Sequence, residues 1–261
     1  MGLVVGTSFS RALLFSVVLS SLSSFGFILN DIWDVEIDRV NRPQHFEDLH
    51  FSELWKARWT CIAFGCAPIV LSFFIGWAEF GVAILIGLGL IAYTVLLRRF
   101  LLLPNVLAAV LASSPLWSPI MLWSKESPDS SKLMFLVAII AIITAREILM
   151  DTRDIVGDTI GGRDTVATLF NERIASFVGV IITLSACVPL VLCIITSAAE
   201  TGLAVLIASF AVALSILYLL VPSVLRTVLL APTRPEILTY VTRSRWAMAL
   251  IPFLVVLLWY R

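Results

Sequence analysis

The sequence predicts an all-α protein, a polytopic transmembrane helix bundle of about eight spanning helices. Three observations predict it. Of the 261 residues, 60% are hydrophobic and only 14% charged, against about 45–50% and about 25% in soluble domains. The apolar residues gather in runs of about 20, the length that crosses a bilayer core. The strict alternation that a membrane barrel requires is absent. Inside a bilayer each backbone polar group must be satisfied within the segment, so runs of this length are helices.

The runs fall at roughly 9–30, 57–77, 80–97, 102–123, 132–151, 173–196, 201–221 and 245–260. The first ends in a run of acids, with no small-residue cleavage site, and reads as a retained helix. The third ends at Arg98 and Arg99, and the fifth runs into a second group of acids. The other runs are bounded by polar connections, none long enough for a separate soluble domain, so residues 1–261 read as one transmembrane domain. Cys61, Cys66, Cys187 and Cys193 lie inside apolar runs, without metal-ligand spacing to a histidine, and read as packing residues. His45 and His50 share the first polar loop and read as surface residues. Net charge is zero, which gives no footprint for nucleic acid.

Eight crossings place the segments 31–56, 98–101, 152–172 and 222–244 on one side. With the helix ends, that side carries 14 of the 18 Lys and Arg residues. The positive-inside rule makes it cytoplasmic. It also carries 14 of the 18 acids, an excess that the rule does not explain.

Those acids concentrate in two motifs. One reads N-D-I-W-D-V-E-I-D, with Asn30, Asp31, Asp34 and Asp38; the other reads D-T-R-D-I-V-G-D, with Asp151, Asp154 and Asp158. Both are D-x-x-D-x-x-x-D. At about 100° per residue, offsets of three and seven share one helix face. At about 5 Å and an effective dielectric near 20, each carboxylate pair costs about 3 kcal/mol. The macrodipole at a helix C-terminus adds to that cost. A cation is therefore expected, and an oxygen-only donor set favours Mg²⁺, commonly bridged to substrate phosphates. Arg39, Arg42, Arg98, Arg99, Arg153 and Arg163 lie in or near these segments and suit charge-assisted contacts to a diphosphate. The alternative for each arginine is topology or an ion pair with the acids.

These residues resemble the UbiA-type intramembrane prenyltransferase family. The resemblance rests on Asn30 through Asp38, on D-V-E-I-D-R-V-N-R-P (Asp34 to Pro43), on R-E-I-L-M-D-T-R-D-I-V-G-D (Arg146 to Asp158), and on Tyr93 between them. It implies a helical bundle, usually of nine helices, and transfer of a polyprenyl group from a prenyl diphosphate to a hydrophobic, more often aromatic, acceptor. It implies catalytic roles for Asp31, Asp34, Asp38, Asp151, Asp154 and Asp158. Among them Asp31, Asp34, Asp151 and Asp154 would be the principal Mg²⁺ ligands. It also implies substrate binding by Asn30, Arg42, Tyr93, Arg98, Arg99 and Arg153.

The sequence departs from the family pattern in four places. The first motif follows the first helix and not the second, so a further N-terminal helix is expected upstream. The usual lysine after Tyr93 is replaced by Arg98 or Arg99. Q-H-F-E-D follows N-R-P, and Asp164-Thr165-Val166-Ala167 stands where R-T-L-P is familiar. Alternatives within the same scaffold are a membrane terpene cyclase and a non-catalytic member. A transporter would place ionisable groups deep in the helices, and here the helix centres are almost free of charge.

Overall fold

The structure, a computed structural model, describes residues 9–41, 51–97, 99–123 and 130–201, with 207, 209–211, 243, 246, 250 and 251. The described elements are helical. They are α1 (Phe9–Trp33), α2 (Val35–Asn41), α3 (Phe51–Ile75), α4 (Trp77–Ile91) continued by a π turn (Ala92–Leu96), α5 (Leu103–Ala112), α6 (Ser114–Trp123), α7 (Ser130–Ile160), α8 (Val166–Leu169) and α9 (Glu172–Thr201). Five helices among the described residues are long and apolar enough to cross a membrane, or six if α5 and α6 form one broken span. The expected spans at 201–221 and 245–260 lie outside the described residues, apart from a few isolated positions.

The chain divides into two compact units. The first holds residues 1–124 and 154–165, and is organised around α1. Phe15, Val18, Leu19 and Leu22 of α1 form a buried core with Ala83 and Ile86 of α4, flanked by Ile69 of α3 and Trp117 of α6. Gly26 permits the close approach of α1 to α4, since a Cβ there would stand 2.6 Å from Leu90 Cδ2. Hydroxyls on the spans return to their own helix: Ser16 Oγ donates to the Ala12 carbonyl, and Ser24 Oγ to that of Ser20. This leaves few polar groups to satisfy in the bilayer.

Two sequence expectations need correcting here. The expected span 102–123 is two helices meeting at 62°. The break falls at Ser113, just before Ser114-Pro115, where proline belongs in the first turn of a new helix. The Trp117 indole N–H donates to the Val110 carbonyl at 2.8 Å and satisfies an acceptor in the last turn of α5. The expected boundary between the second and third spans also moves. Gly76 alone separates α3 from α4, so Glu79 lies in the first turn of α4 and is wholly buried.

The second unit holds residues 125–153 and 166–261. Its described part is the first three quarters of α7, with α8 and α9. Phe135, Ala138, Ile139, Ala145 and Leu149 of α7 are buried, as are Ala175, Ala186, Leu190 and Ile194 of α9. Gly179 of α9 admits Leu149, whose Cγ would lie 2.9 Å from a Cβ. At 31 residues α7 is about 46 Å long, against a hydrocarbon core of about 30 Å. Its last turns, which carry the second acidic motif, thus extend beyond the expected limit at 151.

Candidate functional site

The two motifs are built differently. The first straddles the junction of α1 and α2. The α-helical bonds persist through it, with Asp34 N–H donating to the Asn30 carbonyl and Asp38 N–H to the Asp34 carbonyl, both at 2.8 Å. Asp34 sits at the bend and is 2% exposed; Asp31 is exposed and Asp38 half-buried. The second motif lies on the unbroken α7, with Asp151 and Asp154 half-buried and Asp158 2% exposed. Of the substrate-binding candidates, Asn30 and Tyr93 are half-buried, Arg99 is exposed and Arg153 is half-buried. Tyr93 falls in the π turn, an element found often at functional sites. Arg42 and Arg98 lie outside the described residues.

The first unit contains both Asp34 and the Asp154–Thr165 segment, and there the motifs meet. They meet on Arg163. One guanidinium nitrogen pairs with Asp34 Oδ2 and another lies 3.5 Å from Asp158 Oδ1. The turn that places this arginine follows from two glycines. Gly162 N–H donates to the Thr159 carbonyl and Arg163 N–H to the Asp158 carbonyl, with Gly162 at φ 66°. This is a Schellman cap, whose left-handed position suits glycine. It folds the chain back so that the residue after Gly162 stands beside the last buried aspartate of α7. Burial alone would lower the pKa of Arg163. The charges of Asp34 and Asp158, with the hydrogen bond to Asp34, outweigh burial and hold the pKa above its ordinary value. Tyr93 is also within electrostatic reach of Arg163.

A second clamp joins α2 to the end of α7. The Asn41 side-chain amide donates to the Asp154 carbonyl at 3.2 Å and accepts from the Gly157 N–H at 2.9 Å. A Cβ on Gly157 would meet Asn41 Nδ2 at 2.4 Å, and one on Gly161 would meet Ile37 Cδ1 at 2.4 Å. Gly157 in the last turns of α7 and Gly161 just beyond its end therefore let α2 lie against this segment.

Among the described residues no three acids stand together in ligating geometry. The donor chemistry nevertheless fits a hard divalent cation. Carboxylates of the two motifs come together without His or Cys, and the arrangement holds a positive group between them.

Residues 2–226 match the sequence profile of the UbiA prenyltransferase family. The chain belongs to that family. It is 30% identical over 171 residues to the digeranylgeranylglyceryl phosphate synthase of Methanoculleus marisnigri, covering 66% of this chain and 61% of that one. It is 31% identical over 156 residues to the synthase of the same name from Thermococcus kodakarensis, covering 59% and 54%. The matched stretch thus spans less than two thirds of these relatives' length. The apo structure of a UbiA homologue from Aeropyrum pernix K1 superposes with a TM-score of 0.71 at 17% identity, over 97% of this chain and 93% of the other. A structure from a study of digeranylgeranylglyceryl phosphate synthase in membranes gives 0.59 at 19%, over 98% and 90%. At these identities the likeness shows the fold: an integral membrane helical bundle of UbiA type.

Asn41, Gly157 and Gly161 carried no assigned role in the sequence. The signals were present, since Asn41 stands in R-V-N-R-P and Gly157 inside the second motif. The reason for each appears only when α2 lies on α7. Gly157→Ala is expected to lower turnover about tenfold by displacing Asn41 and shifting the motifs. Stability should fall by only about 1 kcal/mol. The two lost hydrogen bonds cost about 1 kcal/mol each, and alanine returns about 1 kcal/mol of helix propensity. Thermal melting measured beside the turnover assay checks this, and parallel collapse of both would point to a misfolded helix instead.

Proposed function

We propose that this chain is an intramembrane prenyltransferase that transfers a polyprenyl group from a prenyl diphosphate to a hydrophobic acceptor. One observation carries the reading: an aspartate from each of two equally spaced motifs converges on a single arginine, in a chain of the UbiA family. In this reading Asp31, Asp34, Asp151 and Asp154 hold Mg²⁺, with Asp38 and Asp158 supporting them. Bound Mg²⁺ would neutralise the diphosphate as the allylic C–O bond breaks. Asn30, Tyr93, Arg99 and Arg153, with Arg42 and Arg98, would orient the diphosphate. The apolar helices shield the allylic cation from water until the acceptor attacks it. The whole chain acts as one catalytic domain, with the acidic motifs on the cytoplasmic face. A cysteine placed at the exposed Thr159, in a background without the four native cysteines, should resist an impermeant thiol reagent in intact cells.

Two acceptor classes are carried by separate observations. An aromatic acceptor is favoured by the placing of the arginines in the sequence, which suffice for one diphosphate and do not group there into an obvious second phosphate site. A glyceryl phosphate acceptor is favoured by the relatives named digeranylgeranylglyceryl phosphate synthase. The test incubates the purified protein with prenyl diphosphates of several lengths and with phenolic or glyceryl-phosphate acceptors, followed by mass analysis. Prenylated acceptor formed only with divalent metal supports the reading. Cyclised hydrocarbon formed without acceptor would replace it with terpene cyclisation. Absence of any turnover would overturn it.

A further inference from the structure

We propose that Arg163 is the positioning residue of this site, holding the buried carboxylates of the two motifs together until metal and diphosphate arrive. The inference rests on the metal-dependent reading above and deepens it.

Asp34 and Asp158 are 124 residues apart in sequence and both nearly fully buried. Brought together without a counter-charge they would repel, in surroundings that solvate anions poorly. Arg163 lies between them. Its guanidinium is planar, with five donors in a fork, and can satisfy one carboxylate from each side at once. A lysine ammonium is a point charge on a flexible stem and cannot reproduce that fork. The Schellman turn at Gly162 fixes the arginine's backbone next to Asp158, so little further ordering is needed to reach Asp34. The guanidinium therefore takes the electrostatic place that a divalent cation would take. When the cation binds these acids, Arg163 must give them up, and the diphosphate is an anion of suitable shape to receive it. Arg163 thus pre-assembles the motifs and competes with the metal alone, while metal and diphosphate together relieve the competition.

The test uses the purified 261-residue chain in nanodiscs, as wild type, Arg163→Gln and Arg163→Lys. Thermal melting is followed against Mg²⁺ concentration, first without phosphate and then with inorganic pyrophosphate as the probe. Without metal, Arg163→Gln should melt below wild type. Its half-saturating Mg²⁺ should fall about tenfold, the scale of one charge-assisted hydrogen bond no longer displaced. The melting gap should close at saturating Mg²⁺, and Arg163→Lys should lie between. In wild type, pyrophosphate should lower the half-saturating Mg²⁺ more than in Arg163→Gln. If Arg163→Gln does not fold, Arg163→Lys alone must show the lowered half-saturation. Equal half-saturation in every variant, with a clear Mg²⁺ response, would overturn the role of Arg163 and leave the metal site standing. No response to Mg²⁺ or Mn²⁺ in any of them would overturn both.

Discussion

Asp31→Asn and Asp151→Asn are each expected to lower turnover about a hundredfold or more, near 3 kcal/mol, with a much smaller effect on donor affinity. The asymmetry follows from where the charge is needed. A prenyl diphosphate in the ground state already carries its anionic charge. The charge that builds on the bridging oxygen appears only as the C–O bond breaks. A carboxylate that holds the neutralising cation therefore contributes most in the transition state. Asparagine keeps nearly the same volume and removes one charge, so packing is left alone. Asp31 suits this test because it is exposed and stands at the end of α1, whereas Asp34 and Asp158 are the buried pair bridged by Arg163. Asp34→Asn would also release Arg163 and mix two effects. Asp129→Asn, outside both motifs in the sequence, is the control and should leave turnover within about twofold. Steady-state kinetics at saturating Mg²⁺ check the split between kcat and KM. Near-normal turnover in both motif variants, with normal insertion, would return the acids to the status of solvated helix ends.

The acidic motifs were legible because charge is scarce in this chain, and eight-residue patterns of identical spacing stand out against apolar runs. Their spacing also correctly implied helices. What spacing could not supply was depth. Asp31, Asp34 and Asp38 share a nominal face, yet one is exposed, one buried and one intermediate, because the chain bends at Asp34 between α1 and α2. Asp158, one turn further along α7 than Asp154, is buried under the returning Arg163 turn. That burial depends on a contact between residues far apart in sequence, which no local pattern encodes. The 62° break between α5 and α6 was hidden for a different reason: hydropathy is continuous across it, and only Ser113-Ser114-Pro115 marks the change. Glu79 falls between the apolar runs 57–77 and 80–97, where the sequence alone suggests a connecting turn. Its true surroundings appear only when α1, α4 and α6 are packed together.

Those surroundings support the second large effect, on stability. Glu79 is 0% exposed. Its Oε1 accepts from Arg11 Nε of α1 and from the Trp123 indole of α6, both at 2.7 Å, so three helices are tied at one oxygen. Oε2 lies against Gly76, where a Cβ would come within 2.6 Å, so any larger residue at 76 would displace the carboxylate. The two halves of the ion pair are not equivalent. The Arg11 side chain is 43% exposed and near the start of its span, so it can turn toward the interface if its partner is lost. Glu79 has no such exit. Arg11→Met should therefore be the more damaging change, leaving a buried carboxylate held only by the indole, at a cost of about 3–5 kcal/mol. Glu79→Met should cost less, since the orphaned charge can reach water or headgroups. The double variant should recover much of the loss, because a buried pair replaced by apolar groups of similar volume is often close to neutral. For a chain of this size the Arg11→Met penalty corresponds to a fall in melting temperature of about 6–15 °C. Melting of the four proteins in one detergent gives the double-mutant cycle directly. If the losses simply add, Arg11 and Glu79 stabilise the bundle through separate contacts, and the three-helix tie has no energetic meaning.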